Sequence, residues 1–463
     1  MIELDLLVRA PRAIVDGAEQ AVDVGIADGR IACVQPWGTV SAAGLCHELD
    51  EDVVLLPGFV DSHVHINDPG HSDWESFASA TMAAAAAGLT TLVDMPLDSV
   101  PVTTTPAALR AKRLAATGQC RVDVGFWAGA VPENLGSLDR LHNAGVLGFK
   151  AFLTDSGTAD FAPLSNDQLT SAMSEIAGLG SRILVHAESD EELSCYQRPS
   201  GRSYQSFLDS RPNPVEDRAV STVIEAARQT GARAHIVHLS SASALPLLAV
   251  ARREGDVLVT AETCPHYLSL SAAEVPDGAT EFAACPPIRD NDNQELLWQA
   301  LANGLIDTVV SDHSPCSVEL KHLGTGDFGL AWAGISSLQL GPSRVWTSAS
   351  ARGFALTDLV RWMSSGPASC AGLQNKGSLA VGGDADFVVF DPDAEFVVDA
   401  ARLHHRQAIT PYAGQKLRGR ARATWLRGRC VFSLENTPER NHGIDSASGP
   451  PIGRLLNRDD QIE

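Results

Sequence analysis

Apolar and polar positions recur along this chain at two different periods. Between 58 and 310 there are eight short apolar runs: 58–65, 90–95, 122–128, 146–153, 182–186, 234–239, 257–261 and 307–310. Most are continuous rather than alternating, as strands covered on both faces are. Stretches rich in Ala and Leu lie between most of them. One covers 74–87 and closes at Gly88, which suits a helix C′ position. Another opens at Thr105-Pro106, with Pro at the first helical position, and ends at Gly118. Ser165 caps a third that runs to Gly178, and a fourth covers 293–303. Repeated β-then-α units predict the α/β class and a (β/α)8, TIM-like barrel of about 250 residues or more.

The flanks have a different rhythm. Residues 24–31 alternate around Asp28-Gly29, a hairpin signal. Near the other end, Gly382-Gly383-Asp384-Ala385-Asp386 precedes the apolar run 387–390, and 423–426 and 430–432 flank a turn at Arg427-Gly428. Neither flank alone could bury a core, so the two are expected to pair into one small β-sandwich domain. The expected division is therefore 1–57 with 367–433 for the small domain and 58–366 for the barrel. Residues 434–463 are polar and unpatterned, which predicts a loose tail or an arm against a partner subunit.

Composition narrows the class. The 463 residues are long enough for a full core, and 44% hydrophobic with 20% charged is ordinary globular usage. A formal charge of −22 argues against nucleic acid or an anionic membrane as partner, since both need basic patches. It leaves a small neutral substrate open. Nine cysteines without a CxxC pair suggest neither a disulfide framework nor a zinc ribbon. The first five residues lack the basic start of a signal peptide, and the apolar stretch 81–92 falls short of the roughly 20 residues that cross a bilayer. A soluble cytoplasmic protein is expected.

Candidate chemistry sits at the ends of the runs. The first ends in His63-Val64-His65, the fourth carries Lys150, the fifth ends in His186, the sixth carries His238, and the eighth leads into Asp312-His313. In a (β/α)8 barrel the C-terminal strand ends form the active-site face, so fold and residue types point to one place. His63 and His65, two apart on a strand, present both imidazoles on one side. Four histidines and a carboxylate suit Zn²⁺, Mn²⁺ or Fe²⁺ better than Mg²⁺. Lys150 lies in an apolar run, where it either pairs with a carboxylate or has a depressed pKa that lets its amine take up CO₂ as a carbamate. Asp312 is either a turn or capping residue or a carboxylate that moves a proton. His266, just after the seventh run, either lines the pocket or is structural.

Taken together these positions resemble the cyclic amidohydrolases of the amidohydrolase superfamily. Pro57-Gly58-Phe59-Val60-Asp61-Ser62-His63-Val64-His65 is similar to that group's opening motif, and residues 377–386 to its closing one. Within the group, Asn67-Asp68-Pro69-Gly70-His71-Ser72-Asp73-Trp74-Glu75, Asp94-Met95-Pro96-Leu97 and residues 309–316 look like the allantoinases. The resemblance implies two divalent ions, zinc first with cobalt or manganese as alternatives. His63, His65 and Asp312 would hold one, His186 and His238 the other, with Lys150 as N6-carboxylysine bridging them. It implies hydrolysis of a cyclic ureide, allantoin to allantoate, by a bridging hydroxide, with Asp312 as general base and then acid. It also implies substrate contacts at Asn67, Cys285 and Gly334, and a homotetramer. A hydantoinase or dihydropyrimidinase, a non-catalytic scaffold of the same build, and a mononuclear deaminase are the rival readings. His71, Ser76, Asp98, Ala151 and Ala333 depart from the common pattern, and none is an expected ligand.

Overall fold

The computed structural model describes residues 3–41, 44–255, 257–434 and 449–458. Among the described residues sixteen strands form two sheets. The first five strands are β1 (Leu6–Val15), β2 (Ala18–Ala27), β3 (Arg30–Pro36), β4 (Leu45–Glu48) and β5 (Val54–Pro57). The next eight are β6 (Phe59–Val64), β7 (Leu89–Asp94), β8 (Asp123–Gly129), β9 (Gly148–Phe152), β10 (Arg182–His186), β11 (Arg233–Ile236), β12 (Val259–Thr263) and β13 (Thr308–Val309). The last three are β14 (Phe387–Val397), β15 (Lys416–Leu426) and β16 (Arg429–Ser433).

Strands β6 to β13 lie side by side in sequence order, and their paired neighbours are parallel. Every residue of β6, β7, β8 and β9 is buried, as expected for strands with helices on one side and a barrel interior on the other. A bridge between Val64 and His313 joins the first strand to the segment after the last, and the His65 amide donates to His313 O at 2.9 Å. That contact closes the expected (β/α)8 barrel. It also draws Asp312, distant in sequence, to the edge that holds His63 and His65.

Four helices match the expected places. Ser76 caps Phe77–Ala87, Thr105 caps Pro106–Ala116, Ser165 caps Asn166–Gly178, and Asp290 caps Asn291–Ala302. The first starts three residues later than expected, because Ser76 and Ser79 form a capping box and Glu75 is drawn to other partners. Gly88 ends it at φ 90°, where a Cβ would lie 2.8 Å from Val388 of the small sheet. The longest helix, Asn213–Thr230, buries Val215, Ala219, Val220, Val223 and Ala227 on one face.

The other eight strands come from both chain ends, as expected, in one hydrogen-bonded path that runs β16-β15-β14-β5-β1-β2-β3 with β4 beside β1. The join is antiparallel pairing of β14 with β5, with Phe387 opposite Pro57. Leu6, Val8, Val24, Leu55, Phe387 and Val389 belong to its separate small core.

The tail departs from expectation. Residues 449–458 lie on the chain's own barrel, not loose. Val124 donates to Arg454 O at 2.9 Å, Leu456 donates back to Val124 O at 2.8 Å, and the Leu456 side chain is buried in a cluster with Trp127, Leu147 and Leu184. Residues 435–448 and 459–463 lie outside the described residues.

Candidate metal centre

The expected ligand residues meet at the C-terminal ends of the barrel strands. His63 lies on β6, with His65 one residue past its end, Lys150 is on β9, and His186 ends β10. His238 and Asp312 follow β11 and β13 on left-handed backbone, φ 37° and 44°. That conformation is costly for residues with a Cβ and recurs at functional sites. Nε2 of His63 and of His65 lie 3.3 and 3.6 Å from Asp312 Oδ1. Ligand atoms of these three residues all fall within 4.8 Å of one another. The His238 ring is 5.5 Å from that of His63 and 4.5 Å from that of His186, centroid to centroid.

Whether these residues fit a cation can be judged from the polar atoms they leave idle. His63 Nε2, His238 Nδ1 and Lys150 Nζ are buried and have no hydrogen-bond partner among the described residues. His65 Nδ1 is 3.2 Å from Asp98 Oδ2 but lacks hydrogen-bond alignment. Buried polar atoms are rarely left unpaired, so several converging ones mark a place where something binds. Burial lowers the pKa of His63, His186 and His238, which keeps the imidazoles neutral, the form that ligates metal. Burial also opposes charge on Asp312, yet His63 and His65 outweigh it and hold the carboxylate ionised. Lys150 is wholly buried, and burial pushes its pKa down to about 8 against the pull of Asp312 and Glu262. The donor set and its idle atoms fit a divalent ion.

The expected substrate contacts differ in what they have left to offer. Asn67 is buried and donates to Pro315 O at 2.9 Å, which leaves its Oδ1 idle. Gly334 has φ 148°, and a Cβ there would lie 2.2 Å from Ser314 O, so only glycine fits. Its amide is committed to Ala283 O at 2.8 Å and its carbonyl accepts from Lys321, so the carbonyl's second lone pair is what it can offer. Cys285 is half-buried. His71 stacks on Trp74 at 4.5 Å, and Trp74 meets Trp332 edge-on at 5.4 Å.

Residues 54–431 match the amidohydrolase family. The chain belongs to that family. Among its relatives is an allantoinase of Streptomyces avermitilis, 49% identical over 99% of this chain and 100% of the relative. The allantoinase of Saccharomyces cerevisiae is 44% identical over 87% of this chain and 86% of its own. Among solved structures, an L-hydantoinase (dihydropyrimidinase) from Arthrobacter aurescens superposes with a TM-score of 0.89 at 28% identity, covering 98% of this chain and 100% of that one.

This amidohydrolase site has a supporting layer of carboxylates that the sequence reading missed. Glu262 accepts from His63 Nδ1 at 2.5 Å and from His235 Nε2 at 3.0 Å. It fixes the His63 tautomer and leaves Nε2 facing Asp312. Glu188 accepts from His186 Nε2 and from Arg211, both at 2.7 Å, and its pKa is held at about 2: burial works against this, but Arg211 and His186 prevail. Glu75, wholly buried, accepts a hydrogen bond from His313 Nε2 at 3.0 Å. A signal existed for Glu262, because a carboxylate at the end of an apolar strand needs a partner. The expected seventh strand stopped at residue 261, whereas β12 runs to Thr263.

Proposed function

We propose that this chain is a metal-dependent allantoinase that opens the ring of allantoin to allantoate. The relative matching it over its full length, together with six ligand-type residues at one barrel mouth, supports the reading. His63, His65 and Asp312 would hold one ion, His186 and His238 the other, and Lys150, as a carbamate, would bridge them. Zinc suits these donors, with cobalt or manganese as alternatives. Two such ions, when bound, supply a water of lowered pKa and polarise the ring carbonyl.

The chain's own residues do the rest. Asp312 is ionised and fixed by Ser314 Oγ, which donates to Oδ1 at 2.8 Å, so it can take the proton of the attacking water. It then returns that proton to the ring nitrogen as the C–N bond breaks. Lys150, whose pKa lies near 8, has enough neutral amine at working pH to take up CO₂. Glu262 and Glu188 hold two imidazoles in the tautomers the centre needs. Asn67 Oδ1, the Gly334 carbonyl and backbone at Cys285 would meet the ring's polar edge.

The protein is read as cytoplasmic and homotetrameric. All nine cysteines are free, which suits a reducing compartment, and among the described residues no helix is long and apolar enough to cross a membrane. A hydrolysis panel tests the function. Zinc-loaded protein in bicarbonate is offered allantoin, hydantoin, dihydrouracil and dihydroorotate. Preference for allantoin is expected, and preference for another ring would overturn the substrate.

A further inference from the structure

A second set of ligating atoms converges on Asp312. The Cys264 thiol, a ring nitrogen of His266 and a carboxylate oxygen of Asp312 lie within 4.8 Å of one another. Cys264 and His266 are both fully buried. Neither ring nitrogen of His266 has a hydrogen-bond partner among the described residues. Other buried histidines behave differently. His235 bonds Thr260 through Nδ1 and Glu262 through Nε2, and His313 bonds Ser337 N and Glu75. Those two rings knit elements together. The His266 ring meets Tyr267 edge-on at 4.1 Å, and its two nitrogens bond no other element among the described residues.

The chemistry of the set is distinct from that of the main centre. None of the six residues assigned there carries sulfur. A thiolate, an imidazole and a carboxylate together favour borderline or soft divalent ions and disfavour Mg²⁺ and Ca²⁺. The Asp312 side chain, 12% exposed, links the set to solvent, so an ion reaches it by way of the substrate mouth.

We propose that Cys264, His266 and Asp312 form a third cation subsite, selective for thiophilic divalent ions, whose occupation inhibits the enzyme. An ion there displaces the Cys264 thiol proton to solvent and engages the carboxylate of Asp312. With an ion at the main centre and another at the subsite, both oxygens of Asp312 would be engaged and neither would be left to take a proton from water. Binding at the subsite does not depend on the proposed reaction. The inhibition does, because it rests on Asp312 as base.

The test uses the zinc-loaded holoenzyme, dialysed free of excess metal and then titrated with Zn²⁺, Cd²⁺ and Mg²⁺. Three quantities are followed: bound metal per chain, the ultraviolet charge-transfer band of a cadmium–thiolate bond, and allantoin hydrolysis. Wild type is expected to take up one further Cd²⁺ with growth of the band and loss of activity over the same range, and to ignore Mg²⁺. Cys264→Ser keeps the size of the side chain and its basal activity, loses the band, and needs at least about tenfold more Cd²⁺ or Zn²⁺ for inhibition. His266→Asn gives the same weakening from the other side. A band and inhibition curve in Cys264→Ser equal to wild type would overturn the proposal, as would a wild type that takes up no further ion. Should allantoin prove the wrong substrate, the extra ion and its band still decide whether the subsite exists.

Discussion

Lys150 on β9 and Lys376, which meets Asp123 at the start of β8, are both buried ammonium groups, and they are treated in opposite ways. Lys376 lies 2.6 Å from Asp123 and Asp386 and 2.7 Å from Asp384, while Arg427 bonds Asp123 beside it. Burial works against its charge, but Asp386 and Asp123 outweigh burial and raise its pKa. Lys150 has no hydrogen-bond partner among the described residues, and its pKa falls to about 8. Around Lys376 three strand and loop carboxylates could have held a metal, yet the Lys376 ammonium already fills the place between them. A satisfied buried charge ties the small sheet, the barrel floor and the tail together. The unsatisfied one ties nothing together among the described residues.

Four substitutions probe that contrast. Lys150→Ala should lower kcat/KM on the order of 10³-fold, the scale of losing one electrostatic stabiliser, with an unchanged melting curve. A lowered Tm with retained activity would make Lys150 the structural lysine. Lys376→Met should do the reverse, costing on the order of 3 kcal/mol by leaving carboxylates uncompensated, with bound metal and KM of the folded fraction unchanged. Its pH dependence has a defined sign. The Lys376 pKa is raised in the folded state, so its stabilisation is complete below its unfolded value, about 10.4, and is lost as pH rises through the folded one. Asp123 has its pKa lowered, chiefly by Lys376 and Arg427 against burial, so its share is lost as pH falls below the unfolded value of about 3.9. The Tm gap between wild type and Lys376→Met should therefore be flat near neutrality and close at alkaline pH.

Glu262→Gln should weaken metal binding about 10- to 100-fold, measured by chelator competition, because His63 loses the carboxylate that fixes its tautomer. Thr158→Val should have the smallest effect. Thr158 Oγ1 donates to Asp98 Oδ1 at 2.8 Å, so removing it costs about 1 kcal/mol, read as a small rise in the metal Kd. A drop as large as that of Glu262→Gln would show that Asp98 orients His65 as strongly as Glu262 orients His63.

Much of this arrangement could be read from residue order because its causes are local. Ser165 with Gln168, Thr105 with Pro106, and the apolar β6 to β9 carry their own signals. Ligand-type residues recur at the ends of those apolar runs, so the cluster at the strand ends has a local signal too. What stayed hidden is non-local. The Val64–His313 bridge closes the barrel through two residues that no short pattern links. Glu262 works through histidines on β6 and β11. The 18-residue helix Asn213–Thr230 carries charged Glu216 on its buried face, where Arg289 pairs with it at 2.9 Å, which blurs the apolar stripe. Leu455 and Leu456 sit in polar sequence, too short a signal to predict docking.

That docked segment also sets an order of events during synthesis. The Arg454 amide bonds the Asp123 carboxylate across 331 residues of sequence, and Leu456 fills the floor beside Trp127. At about 5–20 residues per second, a ribosome needs roughly 17–66 s to reach that residue after laying down β8. Throughout that interval Asp123, Val124 and the Trp127 cluster lack the partners that residues 454–456 bring.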